Sequence, residues 1–165
     1  MTAYNEDRHP LDRRQLIFYR TLGEMSADPN FHLCAHLYAS DRNSLYIVSN
    51  HLDLGHTFTQ MSSLVHTVVF HSPSEDLMFG PAAPLLSESS TPMDDLEGKW
   101  FCMEAWGSRV GSGRALYQCR IWDSQGRHSL TAMQDGLLRL VTGSEVTKES
   151  GRMLEDVKGR WKEKL

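Results

Sequence analysis

Residues 99–140 hold three strand-length segments, 99–106, 114–123 and 127–140, and the last two are joined by Asp-Ser-Gln-Gly at 123–126. Asp at the first turn position and Gly at the fourth suit a type I turn, so these two segments fold back on each other as an antiparallel hairpin. A sheet of this kind must bury one face against a second layer. From Phe31 the apolar residues take helical spacing, with Phe31, Cys34, Ala35, Leu37 and Tyr38 on one side and Asp28 or Asn30 placed to cap the start. Two more strands are read at 15–22, ended by Gly23, and at 61–71, rich in Leu and Val. Segment 44–54 reads either as helix or as strand, because Leu-Tyr-Ile-Val favours a strand and Ser-Asn-His-Leu does not. The order strand, helix, then a run of strands implies an α+β fold, an antiparallel sheet packed on one long helix.

With 165 residues the chain fits one domain, placed at 1–143. Within it, 72–98 carries Pro73, Pro81, Pro84 and Pro92 among serines and acidic residues and reads as a long exposed loop or lid. Beyond it, Leu154, Val157 and Trp161 share one face amid alternating charges, which predicts a charged surface helix over 144–165. The formal charge of −4, with no basic block before the last few residues, argues against nucleic acid as a partner. Small neutral or apolar ligands fit better. Three cysteines, Cys34, Cys102 and Cys119, have no C-x-x-C spacing, so neither a disulfide framework nor a structural zinc site is expected. The polar start MTAYNEDRHPLDRR lacks the apolar run of a signal peptide, and no stretch reaches 18 uncharged apolar residues. A soluble, intracellular protein that does not enter a membrane is the expectation.

Few segments carry recognisable chemistry. There is no G-x-S-x-G nucleophile elbow. GSRVGSGR at 107–114 looks like a phosphate loop, but it lacks G-K-[ST] and joins two strands, so a plain connection is the simpler reading. His32 and His36 stand at i and i+4 without the Glu of a zinc motif, and no metal is expected. His66 and His71 lie an odd number of positions apart on one strand and point to opposite faces. Asp41 and Gln134 each interrupt an apolar element, where an uncompensated polar group costs roughly 1–3 kcal/mol. Taken singly, Asp41 reads as a cap or turn residue, Ser63 as locally satisfied, and Gln134 as facing water.

Three segments read together say more. YASDRNSL at 38–45, SSLVHTVVFH at 62–71 and GRALYQCRIWDSQGRHSLTAMQDGLLR at 113–139 resemble the C-terminal half of the type II (TesB-like) acyl-CoA thioesterases. That family carries, in the same order, an Ala-Ser-Asp segment, a Leu-Asp-His strand, a Gly-Arg-Gly-Leu strand, an Asp-x-x-Gly turn and a terminal Gln-Glu-Gly. The resemblance covers about residues 11–140 and implies a hot-dog fold, an antiparallel sheet wrapped around a central helix. It further implies hydrolysis of an acyl-CoA to a carboxylic acid and CoA by a water that Asp41, Ser63 and Gln134 hold and polarise, with no cofactor or metal. His66, Gly136 and Arg114 match motif positions and are assigned to substrate binding.

Val65 stands where the family has Asp, and only one hot-dog unit is present where the family joins two. The uncovered surface implies a homodimer or a second hot-dog chain as partner. A catalytically degenerate subunit that binds acyl groups or completes a partner is the competing reading. The terminal Glu-Lys-Leu matches the last two positions of the peroxisomal Ser-Lys-Leu address, which places the protein in the peroxisome or the cytoplasm.

Overall fold

The computed structural model describes residues 2–23, 25–54, 57–80 and 99–140. The helix expected over 144–165, the C-terminal address and most of the Pro-rich segment lie outside the described residues. A single helical turn, α1 (Thr2–Asn5), precedes strand β1 (Gln15–Tyr19). Helices α2 (Pro29–Asp41) and α3 (Ser44–His51) follow, then β2 (Phe58–Phe70), β3 (Phe101–Gly111), β4 (Arg114–Trp122) and β5 (His128–Leu140). The five strands form one antiparallel sheet in the order β1-β3-β4-β5-β2. The α+β architecture is therefore the one expected.

The helical layer runs in two pieces. At the start of α2, Pro29 takes the first helical position and the Asp28 carboxylate accepts the Asn30 N–H at 3.0 Å. The chain breaks at Asn43, whose φ of 61° is left-handed, a conformation Asn tolerates better than most residues. The ambiguous segment 44–54 thus begins as helix α3. Leu45, Ile47 and Val48 of that helix are buried against the sheet, where each full burial contributes about 1.5–3 kcal/mol. Two strand glycines let it approach closely. A Cβ on Gly107 would sit 3.0 Å from Val48 Cγ1, and one on Gly136 would sit 2.5 Å from Leu45 Cδ1 and 2.8 Å from the Ser62 carbonyl.

Helix α2 corrects the expected face. Phe31 and Tyr38 are 58% and 65% exposed and Cys34 is exposed, while His32, His36 and Ser40 are buried. The reason is that α2 lies mainly against the segment after β2. That segment, residues 72–80, was expected to be exposed; instead a 3-10 turn at Ser74–Leu77 inserts Leu77 and Phe79 into the core. The two histidines fasten it. His36 Nε2–H donates to the Leu77 carbonyl at 2.9 Å and Nδ1 accepts the Tyr19 hydroxyl at 2.7 Å. His32 Nδ1 accepts the Phe79 N–H at 3.1 Å, and Nε2–H donates to the Ser26 carbonyl at 2.9 Å. Burial lowers the His36 pKa to about 4, so the ring is neutral at pH 7. No helix among the described residues is long and apolar enough to cross a membrane.

Candidate active site

Where α2 ends and α3 begins, residues 41–46 face residues 61–63 of β2 across a hollow of about 240 Å³. Asp41 is the last residue of α2, in keeping with its reading as a cap or turn residue, and it is exposed rather than enclosed in an apolar element. Gln134 is fully buried on the helix-facing side of β5. Its amide is held at both ends. Nε2 donates to Asp41 Oδ1, and Oε1 accepts the Ser44 hydroxyl. Because the Asp41 carboxylate accepts, it fixes which end of the amide faces it, and the Ser44 hydroxyl, which can donate or accept, donates to the amide oxygen.

Ser63 reaches the same side of the sheet by an irregularity in the strand. It pairs with Gly136, whereas His66 pairs with Gln134, and Leu64 is the extra residue between the two registers. On a regular strand, positions three apart point to opposite faces; the bulge at Leu64 returns both to the helix-facing side. Ser63 and Asp41 line one hollow from opposite walls.

The remaining assigned residues fall in different places. Ser40 uses its only hydroxyl hydrogen on the Leu37 carbonyl at 2.9 Å, so His66 Nε2–H donates to Ser40 Oγ at 3.2 Å. His66 therefore ties the end of α2 to the sheet beside the hollow rather than lining it. Gly136 is the close-approach point under Leu45 described above. Arg114 lies on the opposite face of the sheet and pairs there with Asp135. Val65, where the family has Asp, pairs with Asp135 on that outer face and is 57% exposed. Its substitution takes no polar group out of the hollow. His71 is also on the outer side, bonded to Thr131 Oγ1 at 2.9 Å, opposite to His66 as its position predicts.

Ser44 is the member that reading the sequence did not single out. Its signal lay within the quoted YASDRNSL segment, at the first position of α3. The N–H groups of Ser44, Leu45 and Tyr46 precede the first intrahelical bond of α3, made by Ile47 to the Asn43 carbonyl at 3.1 Å. The positive end of that helix thus borders the hollow. A carboxylate held from behind by an oriented amide, with a hydroxyl and the first-turn N–H groups of a helix around one small cavity, can bind water, accept its proton and stabilise negative charge on a carbonyl oxygen. Among the described residues, no three His, Cys, Asp or Glu side chains are grouped to hold a metal.

The family model described as "Acyl-CoA thioesterase C-terminal domain" matches residues 3–138. Among solved structures, the acyl-CoA thioesterase II TesB2 of Mycobacterium marinum is 25% identical over 79% of this chain and 43% of its own, with a TM-score of 0.58. The tesB protein of Mycobacterium avium subs paratuberculosis is 16% identical over 76% of this chain and 41% of its own, at 0.50. A hot-dog-like protein from Thermanaerovibrio acidaminovorans is 12% identical over 92% of both chains, at 0.51, and carries the fold likeness along nearly the full length. This chain spans less than half the length of the two TesB-type chains. No curated protein matches it.

Proposed function

Because the chain belongs to the family of acyl-CoA thioesterase C-terminal domains, we propose that it hydrolyses an acyl-CoA to a free carboxylic acid and CoA. The observation that carries this reading is the Ser44–Gln134–Asp41 hydrogen-bonded chain ending at a hollow with Ser63 on its far wall. Asp41 takes a proton from a water in the hollow as that water attacks the thioester carbonyl. Gln134 and Ser63 fix its direction, and the first-turn N–H groups of α3 receive the developing oxyanion. The C–S bond then breaks and CoA leaves as a thiolate, which needs no activated nucleophile of the protein. His66 and Gly136 serve substrate binding indirectly, His66 by tying the end of α2 to β2 and Gly136 by letting α3 lie close on β5.

The partner in this reading is a second hot-dog unit, from another copy or a separate chain. Among the described residues, no strand pairs with the outer edge of β2 along its 13 residues. Leu64, Val65 and Val69 on it are about half exposed or more, as are Phe31 and Tyr38 on α2. An edge of that length with apolar neighbours is a template for pairing.

The test is thiol release from acyl-CoAs of short, medium and long chain, with the mass in solution measured on the same sample. Turnover by a species of twice the chain mass is expected. A dimer that releases no thiol from any of them would make the protein a binding subunit instead.

A further inference from the structure

The 107–114 segment, unlike a phosphate loop by sequence, forms the hairpin between β3 and β4. Ser112 and Gly113 take φ of 53° and 71° at its tip. A second cavity, about 400 Å³, lies against this hairpin on the outer face of the sheet and is bordered by Arg109, Ser112, Arg114, Leu116 and Asp135. Arg109 reaches that face through another irregularity. Gly107 pairs with Tyr117 but Arg109 pairs with Leu116, so Ser108 is the extra residue. In a regular strand Arg109, two positions after Gly107, would share its parity and point into the helical layer, where an unpaired guanidinium could not be buried. The bulge turns a cation outward into a cavity.

The charges of the cavity are unequal. Arg114 is matched by Asp135, with Nε 3.2 Å from Oδ1 and Nη2 on Oδ2. Among the described residues no carboxylate pairs with Arg109. Two guanidinium groups against one carboxylate leave a formal charge of +1 in a chain of net charge −4. Arg114 commits two of its five N–H donors to Asp135, so donors remain on both arginines for an anion.

The cavity is also close to the candidate active site around the end of the sheet. Met61, on the wall of the active-site hollow, pairs with Leu138, whose N–H bonds the Gly113 carbonyl at 2.9 Å. Two inter-strand spacings, about 10 Å, therefore separate that wall from the hairpin tip. This is a span that the flexible arm of a long thioester can cover.

Resting on the thioesterase reading above, we infer that the Arg109–Arg114 cavity holds the phosphates of the CoA moiety, with Arg109 as the principal contact. The test compares acyl-CoA with the matching acyl-N-acetylcysteamine, which has the same thioester and no phosphate. Arg109→Ala is expected to lower the ratio of kcat/KM for the two substrates about tenfold, through KM for the CoA ester, with Arg109→Lys restoring part of it. Asp135→Asn, which removes the competing anion, is expected to raise the ratio. A ratio unmoved by Arg109→Ala, or lowered equally by Asp135→Asn, overturns the assignment while leaving the hydrolysis intact. Calorimetric titration with CoA and with ADP separates the two readings. Arg109-dependent CoA binding without turnover would support the cavity and sink the catalysis, and ADP binding as tight as CoA would reassign the cavity to free nucleotides and overturn the inference.

Discussion

Helix α2 carries polar groups at both ends, and the two ends handle them differently. Near its start, His32 and His36 are buried and both nitrogens of each ring have a partner, all within the fold. At its last residue, Asp41 is exposed and joins a chain of hydrogen bonds that runs from buried Ser44 through buried Gln134 and stops at the hollow. A closed network spends its donors and acceptors on holding Leu77 and Phe79 in the core. An open one leaves capacity facing solvent and a substrate. Removing a member should therefore cost stability at the first end and rate at the second.

The largest effect is expected at Asp41. Asp41→Ala should lower kcat on an acyl-CoA about 1,000-fold, the middle of the range for a general base, and leave the denaturation midpoint nearly in place. A rate loss that follows a loss of folded protein would erase the distinction between the two ends.

His36 should behave in the opposite way. His36→Ala leaves the Tyr19 hydroxyl and the Leu77 carbonyl without their buried partner and opens a void, a cost of about 3 kcal/mol in denaturant unfolding. Turnover per folded molecule should hold. Acid sharpens this contrast. The unfolded histidine takes its proton as pH falls through about 6.5, but the folded one, lowered by burial, only near 4. The unfolded state binds more protons between those values, so stability is complete above about 6.5 and falls as pH drops towards 4. His51, lowered to about 4 by burial and then by Arg13, adds to the same slope. Unfolding curves at several pH values should show a shallower dependence in His36→Ala; an unchanged slope would mean that His36 is not the group being protonated.

Gln134 lies between these cases, buried like the histidines yet linked to Asp41. Gln134→Ala should reduce kcat about 100-fold and also cost about 1–3 kcal/mol, because Ser44 loses its acceptor in the interior. Measuring both quantities on one variant tests whether the open network is anchored in the core. Full stability would show that the Ser44 link carries no weight.

How much of this was legible follows from what periodicity records. The hairpin at 123–126 and the strands before and after it could be read because turn chemistry and apolar pattern agree there, as the β4–β5 register confirms. The buried face of α2 could not, since its histidines are buried through hydrogen bonds to Ser26, Tyr19, Leu77 and Phe79, partners remote in sequence. Leu77 and Phe79 were hidden by the prolines around them. Asp41 and Gln134 attract notice as polar interruptions, and the structure joins them directly. Ser44 was missed because a Ser at the start of a helix is commonplace, and its bond to Gln134 spans 90 positions.

Ser63 should give the smallest effect and the most direct test of how the open end is built. It enters the hollow from β2, while Asp41, Gln134 and Ser44 are already bonded to one another without it. Its hydroxyl can only supplement the orientation of a water that Asp41 and Gln134 already hold, so Ser63→Ala should lower kcat about tenfold or less. The bulge at Leu64 is what lets Ser63 and His66 share a face although they stand three positions apart. Deleting Leu64 should give a regular strand with Ser63 still opposite Gly136 and His66 still opposite Gln134, so kcat should fall no further than in Ser63→Ala. Combining the deletion with Ser63→Ala should then give the sum of the two single effects. A loss larger than that sum would show that the bulge and the hydroxyl act together, and that the two walls of the hollow are coupled through the strand itself.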